Sequence, residues 1–189
     1  MSFYLGLDIS TSIVGITVLS EDFTKYLFEY VDLTKIKSYF KKADLVRDKL
    51  KEIKDQYEID YIGIEENLQA FRPGLSSAKT LMQLSRFNGV VSQISYELFN
   101  LEPLYINVNS ARTNLQIKIN KKLKINTKEQ VFEWVSNDFI KENIKFEWPT
   151  KILKSGPNKG RVKFNKCCYD ISDSYVICKA LIYEKQQCW

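Results

Sequence analysis

The sequence predicts a mixed α/β fold, in which a five-stranded sheet of three antiparallel strands and then parallel additions is flanked by helices. Near the N-terminus, three segments alternate apolar and polar residues and are joined by short turns, which is typical of an antiparallel meander. Beyond them, segments with helical apolar spacing alternate with short apolar runs. That order is typical of helices that cross between parallel strands.

The first three strands are expected at residues 5–10, 13–19 and 23–33. In the first of them, leucine and isoleucine share one face, while glycine, aspartate and serine share the other. The aspartate is Asp8, which lies in an apolar stretch without a basic residue, 3–19. A carboxylate in such surroundings loses hydration, so Asp8 is expected to face a partner.

Apolar residues spaced by three and four predict helices, which fall at residues 43–57, 77–99, 128–140 and 170–184. Short apolar runs predict two more strands, at 60–66 and 104–108. Ser76 or Ser77 is placed to cap the long helix, and Asn109 or Ser110 to cap a short helix after the last strand. The segment 151–164 is typical of a hairpin, with a glycine- and proline-containing turn at 155–160.

The composition is that of a folded protein, with 44% hydrophobic and 27% charged residues among 189. We expect one domain, 1–189, with a basic insert at about 145–168. No apolar run approaches the roughly 20 residues that span a bilayer, so no membrane contact is expected. No basic segment precedes the first apolar run, so no signal peptide is expected. The expected compartment is the cytoplasm of a cell, for a host or a virus-encoded protein, with a nucleus or organelle left open.

The chain contains no histidine, which excludes a Ser-His-Asp triad, a histidine general base and a histidine-ligated metal. Its four cysteines lie in the last quarter of the chain without zinc-site spacing, and are expected to be reduced thiols. Any chemistry must therefore depend on carboxylates, lysines and metal ions.

Positive charge is concentrated in one segment. Between residues 108 and 166 there are 14 lysines and arginines against 5 acidic residues, whereas the whole chain has a net charge of +5. The rest of the chain is therefore mildly acidic. This asymmetry favours a polyanionic partner, although a solvated lysine-rich surface would look the same.

Four acidic residues could meet at one point: Asp8 in the first strand, Glu65 (or its neighbour Glu66) at the end of the fourth, and Asp170 and Asp173 on one side of the last helix. Clustered carboxylates repel one another, and Mg²⁺ prefers their oxygens. Two such ions, about 3.5–4 Å apart, can assist hydrolysis of a phosphodiester without histidine.

Each acidic residue also has a structural explanation. Asp8 could form an Asx-turn toward the next strand, and Glu65 and Glu66 could be a solvated strand end. Asp170 and Asp173 could lie in the first turn of a helix, where the dipole favours acids. Spacing alone does not choose between these explanations and a metal site.

The motifs resemble those of RuvC-type Holliday junction resolvases, which have the ribonuclease H-like fold. The resemblance runs in order over most of the chain, through GLDISTSIVGITVL (6–19), YIGIEENL (61–68), SSAKTLMQLSRFNGVVSQI (76–94), LYINVNSARTNL (104–115) and YDISDSYVICKAL (169–181). The longer insert at 145–168 departs from compact bacterial members and resembles viral, phage-like or organellar relatives.

The resemblance implies a crossover junction endonuclease that hydrolyses phosphodiesters with two Mg²⁺ ions, for which Mn²⁺ should substitute, and with no small-molecule cofactor. It implies that Asp8 bridges both ions, that Glu65 and Asp173 complete the site, and that Asp170 is a ligand or positions the attacking water. Some relatives carry histidine near the position of Asp170, whereas this chain has none.

The resemblance also implies four-way junction DNA as partner, held by a homodimer whose interface is the long helix. In that helix Leu84, Val91 and Leu98 recur every seven residues, which suits a pairing seam or packing on the sheet. Phe71 is the candidate to stack on an unpaired base, with a packing role as the alternative. The other candidate DNA contacts are Arg72, Arg112, Lys118, Lys121, Lys122, Lys124, Lys159, Arg161 and Lys163.

Three other functions remain open from the sequence. The same fold could cleave other branched DNA or RNA–DNA hybrids, or it could bind junctions without cleaving them. A sugar-kinase or actin-like ATPase also begins with an aspartate after alternating apolar residues. Such an ATPase usually has glycine where Ser10 stands, and needs two domains to close over ATP.

Overall fold

The computed structural model describes residues 1–66 and 78–187. In chain order its elements are β1 (Phe3–Ile9), β2 (Ile13–Ser20), β3 (Tyr26–Asp32), α1 (Tyr39–Gln56), β4 (Tyr61–Glu65), α2 (Ala78–Phe99), β5 (Leu104–Ile106), α3 (Val108–Asn114), α4 (Thr127–Lys141), β6 (Thr150–Ile152), β7 (Val162–Phe164) and α5 (Cys167–Gln187). No helix of the described residues is long and apolar enough to cross a membrane.

The main sheet has five strands in the order β3-β2-β1-β4-β5. β1, β2 and β3 pair antiparallel, whereas β4 joins β1 in parallel and β5 joins β4 in parallel. The predicted mixed sheet is thus confirmed. The parallel pairs require crossovers, which α1 and α2 provide.

Helices cover both faces of this sheet. On one face, α1 and α2 pack their apolar stripes against the large residues of β1, β2 and β4. On the other, α5 lies against the sheet, with α3 and α4 packed outside it. The face of β1 that carries glycine and aspartate is therefore covered by α5 rather than by solvent.

α5 approaches the sheet closely because the facing residues are small. A Cβ atom on Gly6 would lie 2.5 Å from the carbonyl oxygen of Ser174, and one on Gly15 would lie 2.0 Å from that of Asp170. Thr17 and Ser174 share a buried hydrogen bond of 2.8 Å at the same interface. The first half of α5 is thereby fixed against β1 and β2.

Two predicted strand bounds were too long. The third strand begins at Tyr26, because Phe23 has a φ of 58° in a turn that the Ser20 and Asp22 side chains stabilise. The fifth strand ends at Ile106, because Asn107 caps α3 by accepting hydrogen bonds from the next two free backbone N–H groups. The predicted cap at Asn109 or Ser110 was wrong.

The predicted hairpin is present as β6 and β7, which pair antiparallel as a separate two-stranded ribbon. α4 begins with a capping box between Asn126 and Glu129, which places Lys128 in its first turn. The predicted caps Ser76 and Ser77 lie outside the described residues.

Candidate active site

The acidic residues meet at the end of the sheet where β1 and β4 finish. A cavity of about 230 Å³ opens there, and Asp8, Glu65 and Asp173 are among its lining residues. Asp170 lies beside the cavity, where it shares an ion-pair partner with Asp173. The structure thus brings together all four acids that the sequence singled out.

The strand register explains why Asp8 and Glu65 share a face. Gly6 of β1 pairs with Gly63 of β4, so the residues two further along, Asp8 and Glu65, point to the same side. That side faces α5. Glu66 belongs to the opposite parity, and its carboxylate accepts a hydrogen bond of 3.1 Å from Asn107.

The other two acids come from the start of α5. Asp170 lies in the first turn of the helix, and Asp173 lies one turn further along the same side. Both are buried, with 9% and 7% of their surfaces exposed. Because the backbone of Asp170 lies against Gly15, the close packing of the helix on the sheet also fixes the positions of these carboxylates.

Burial and mutual repulsion make the cluster hard to ionise. Burial raises the pKa of Asp8 well above its usual range, and the carboxylates of Glu65, Asp173 and Asp170 raise it further. The pKa of Glu65 is also raised, first by burial and then by Asp173. A cation at this point would relieve both effects.

The two carboxyls of α5 are partly compensated by neighbouring cations. Burial raises the pKa of Asp170 to about 6, although Lys128 acts in the opposite direction. Burial likewise raises the pKa of Asp173, against the lowering effects of Lys128 and Arg112. The site therefore retains an uncompensated excess of acid.

Lys128 and Arg112 approach the carboxylates without tight contact. The Lys128 ammonium lies 3.8 Å from Asp170 and 3.7 Å from Asp173, and the Arg112 guanidinium lies 3.8 Å from Asp173. The Nε atom of Arg112 is buried without a hydrogen-bond partner among the described residues. An anionic oxygen entering the site could satisfy that donor.

The turn between β1 and β2 does not use Asp8. Ser10 holds it, because its hydroxyl accepts from the backbone N–H groups of Ser12 and Ile13 and donates to the carbonyl of Ile13. The Asx-turn explanation for Asp8 is therefore wrong. Its carboxylate is left for the cavity.

The donor set suits Mg²⁺ in its chemistry. Asp8, Glu65 and Asp173 offer only carboxylate oxygens, which hard divalent cations prefer, and their raised pKa values show an unmet demand for positive charge. Among residues 1–66 and 78–187, no three acids or cysteines stand in ready-made ligand geometry. Binding would therefore need these side chains to move so that their oxygens converge on the ion.

The candidate DNA contacts fall into three groups. Arg112 lines the cavity. Phe71 and Arg72 lie outside the described residues. The rest are exposed on the loop before α4 and on the hairpin, and within the described parts none forms an ion pair: Lys118, Lys121, Lys122, Lys124, Lys159, Arg161 and Lys163.

The seven-residue repeat of α2 faces inward. Val91 is fully buried in the core under the sheet, Leu98 packs against the same core, and Leu84 lines the cavity. This stripe holds α2 on its own sheet, which was one of the two explanations of the pattern. The outward stripe contains Met82 and Tyr96, which are 57% and 47% exposed.

Sequence reasoning missed Lys128 as a member of the site. The predicted helix begins at this residue, which was not among the candidate site residues. The capping box formed by Asn126 and Glu129 would have placed Lys128 inside the first turn of α4. Asn88, which donates a 3.2 Å hydrogen bond to the carbonyl of Glu65, had no signal in the sequence.

Comparison with known proteins gives similarity in structure only. No protein-family model and no curated protein matches the chain. It is similar to Thermus thermophilus RuvC in complex with Holliday junction substrate, with a TM-score of 0.61 and 12% identity over 99% of this chain and 96% of that one. It is also similar to a second Thermus thermophilus RuvC structure, with a TM-score of 0.60 and 14% identity over 98% and 96%.

The chain has the RuvC-type ribonuclease H-like fold. This outcome confirms the predicted fold class. The viral, phage-like or organellar origin suggested by the insert stays a prediction, as does the division of the chain into one domain.

Proposed function

We propose that the chain is a divalent-metal-dependent endonuclease that resolves four-way DNA junctions. The observation that carries this proposal is the convergence of Asp8, Glu65, Asp170 and Asp173 from three remote segments at one end of the sheet. The fold supports it, since one solved structure with this fold is RuvC in complex with Holliday junction substrate. The basic segment, residues 108–166, also supports the proposal, because DNA is a polyanion.

In the proposed reaction the acidic residues bind metal, and the basic residues bind the phosphate. Asp8, Glu65 and Asp173 would hold Mg²⁺, and Asp170 would add a ligand oxygen or orient the attacking water. Bound Mg²⁺ would supply positive charge for the attacking water and the leaving oxygen. Lys128 and Arg112, close to the same carboxylates, would donate to the scissile phosphate and hold it over the site.

The lysines and arginines of the loop before α4 and of the hairpin would bind backbone phosphates. Their charges are unpaired within the described residues, so a polyanion would meet no internal competitor. Such contacts give affinity without sequence preference and a steep dependence on salt. Cutting two opposed strands requires two sites, and we place the homodimer interface on the outward stripe of α2.

The decisive test is the substitution Asp8→Asn, assayed on a synthetic four-way junction with Mg²⁺ and with Mn²⁺. Loss of a central ligand should lower the cleavage rate by roughly 10³-fold or more, because metal catalysis supplies several kcal/mol. Junction binding should be unchanged or tighter, since one negative charge is removed. Asp44→Asn, an exposed acid of α1, is the matched control and should cleave normally. Full activity of Asp8→Asn would remove the proposed mechanism.

The substrate is tested with the wild-type chain on a panel of four-way junctions, flaps, forks, linear duplexes and RNA–DNA hybrids. A resolvase should cut only the four-way junction symmetrically, into duplexes that a ligase can seal. Preferred cutting of hybrids or flaps would favour the alternative nuclease activity on the same fold. Binding without cutting would favour a junction-binding module.

A further inference from the structure

The β6–β7 hairpin is a ribbon with little support from the rest of the chain. All six residues of its two strands are exposed, and Ile152 and Val162 are 64% and 66% exposed. An isolated two-stranded hairpin is at best marginally stable in water. Ile152 and Val162 together form an exposed apolar pair on this ribbon, which makes it a candidate contact surface.

The strand register gives the ribbon two different faces. Ile152 pairs directly with Val162, and Thr150 with Phe164, so these four side chains share one face. Ile152 and Val162 make that face apolar toward the tip, while Phe164 packs on α4 at the root. Lys151 pairs directly with Lys163, so the opposite face is cationic. The two faces therefore suit two different kinds of contact.

The cationic face destabilises the pairing of the two strands. Lys151 and Lys163 are like charges on directly opposed residues, which destabilise a strand pair. Residues 150–166 contain six lysines and arginines and no acid, and none of the six forms an ion pair within the described parts of the chain. An anion between the two lysines would remove the repulsion, and closely spaced phosphates are such anions.

The root of the ribbon is tied to the start of α5. The carbonyl of Pro149 accepts a backbone hydrogen bond of 2.8 Å from Asn165, and the N–H of Cys168 donates to the carbonyl of Asn165. Cys168 stands two residues before Asp170. The ring of Phe164 also contacts that of Phe132 on α4, with 5.0 Å between centroids. The ribbon thus extends from beside the carboxylate cluster.

The tip of the ribbon has a defined shape. The backbone of Leu153 is hydrogen-bonded in both directions, from Gly160 and to Arg161, and Gly156 and Gly160 take φ values of 82° and 86° that favour glycine. The paired strands, of three residues each, extend about 10 Å at roughly 3.3 Å per residue. That length is comparable with the width of a DNA major groove, about 12 Å.

We propose that the hairpin is a wedge at the branch point of the DNA. Its cationic face binds the backbone phosphates of one duplex arm, while Ile152 and Val162 pack against bases and sugars that lose their stacking where the arms separate. Apolar side chains inserted at unstacked base steps are an established way to hold deformed DNA. This inference rests on the proposed function, and assigns the choice of branched over linear DNA to the apolar face.

The apolar face is tested with Ile152→Ser/Val162→Ser, in EDTA so that binding is measured without cleavage. The ratio of four-way junction affinity to linear duplex affinity should fall at least about tenfold, since the side chains no longer cover apolar surface. Fluorescence of 2-aminopurine at the branch point should respond less to this variant than to wild type. Ile140→Ser, at a 78% exposed position on α4, should keep the wild-type ratio.

The cationic face is tested with Lys151→Gln/Lys163→Gln. Affinity for junction and for duplex should fall together, and the slope of log affinity against log salt should decrease by about 2, or about 0.9 per phosphate contact. The matched control is Lys51→Gln/Lys141→Gln, which removes two exposed charges from α1 and from the end of α4. That control should leave the slope unchanged.

The outcomes separate the two proposals. Wild-type chain that does not cut four-way junctions overturns the proposed function, and the wedge with it, whereas wild-type chain that cuts them but binds junction and duplex equally overturns the wedge alone. Wild-type selectivity that survives in Ile152→Ser/Val162→Ser overturns the wedge alone. A loss of self-association in that variant, with junction selectivity intact, would show that the apolar face contacts a second copy of the chain and not DNA.

Discussion

Asp170 is a carboxyl group that the folded chain makes harder to ionise. Burial raises its pKa to about 6, against about 4 for an unfolded aspartate. The folded state therefore binds this proton more tightly than the unfolded state. The resulting stabilisation is fully present below about pH 4 and is lost as the pH rises through 6.

This linkage predicts the behaviour of Asp170→Asn in metal-free buffer. The variant has no proton to lose, so its free energy of unfolding relative to wild type should increase between pH 4 and pH 7, by on the order of 1–3 kcal/mol. Urea unfolding of both proteins in EDTA, at both pH values, measures the difference. A gap that stays constant or shrinks over this range would contradict the buried, raised carboxyl.

Lys128 lies beside the carboxylate cluster and affects the site both without a metal ion and when one binds. Partial desolvation beside the cavity would lower its pKa, but the side chain is 56% exposed, and the four surrounding carboxylates, led by Asp173, raise it. In the metal-free chain this ammonium supplies part of the missing positive charge. Because it stays 3.7 Å or more from both α5 carboxylates, their oxygens remain accessible to a divalent cation.

The element on which the site depends most is α5, which carries two of the acids and lies directly on the sheet. Gly15→Ala should force the helix away, because the added Cβ would meet the backbone of Asp170 at 2.0 Å and backbone cannot rotate aside. We expect a loss of about 1–3 kcal/mol or more in the free energy of unfolding, measured by urea titration. Nuclease activity should also fall under conditions in which the variant is still fully folded, because Asp170 is displaced.

Gly63→Ala is the matched control for that substitution, on the same face of the sheet. Its Cβ would meet side-chain atoms and no backbone, namely those of Ile177 and Leu181 at 3.3 Å and of Ile106 at 3.5 Å, and these can shift by a few tenths of an ångström. We expect a change of less than about 1 kcal/mol. Equal losses in the two variants would mean that the helix position does not depend on the contact at Gly15.

Local pattern was enough to predict most elements, because alternation and helical spacing report directly which face of a segment is buried. It placed Asp8 on the face that it shares with Gly6, where the absent side chain lets α5 approach the sheet, but it left the choice between Glu65 and Glu66 open. It failed where a side chain competes with the regular backbone. Asn107 ends β5 by capping α3, and a left-handed Phe23 delays β3.

The site as a cluster could not be derived from local pattern alone. Asp8, Glu65 and Asp173 are far apart in sequence. The parallel register of β4 places Glu65 beside Asp8, and the packing of α5 on the sheet adds Asp173, and both are tertiary features. Resemblance to a family supplied that information for the acids. It gave no equivalent guide to the hairpin, whose two faces became evident only from the pairing of Ile152 with Val162.

At the scale of the whole molecule, symmetric resolution of a junction requires two copies of the site. The inward stripe of α2 is occupied by the chain's own core, so we place the proposed second copy on the outward stripe around Tyr96 and the neighbouring Tyr105 of β5, which is 55% exposed. Tyr and Met side chains are enriched in such interfaces. We therefore expect the wild-type chain to sediment as a dimer.

Tyr96→Glu should convert that dimer into a monomer, because a carboxylate buried at the interface would lose its hydration without a partner. The monomer should still nick junctions, since each chain carries a complete set of the four acids, but it should no longer cut the two opposed strands within one encounter. Sedimentation velocity and a cruciform plasmid assay, which separates nicked from linear product, measure the two effects. Tyr183→Glu, at a 39% exposed position on α5, is the control and should remain dimeric. If a monomeric Tyr96→Glu variant still gives linear product, the paired cuts do not require a dimer, and this prediction is wrong.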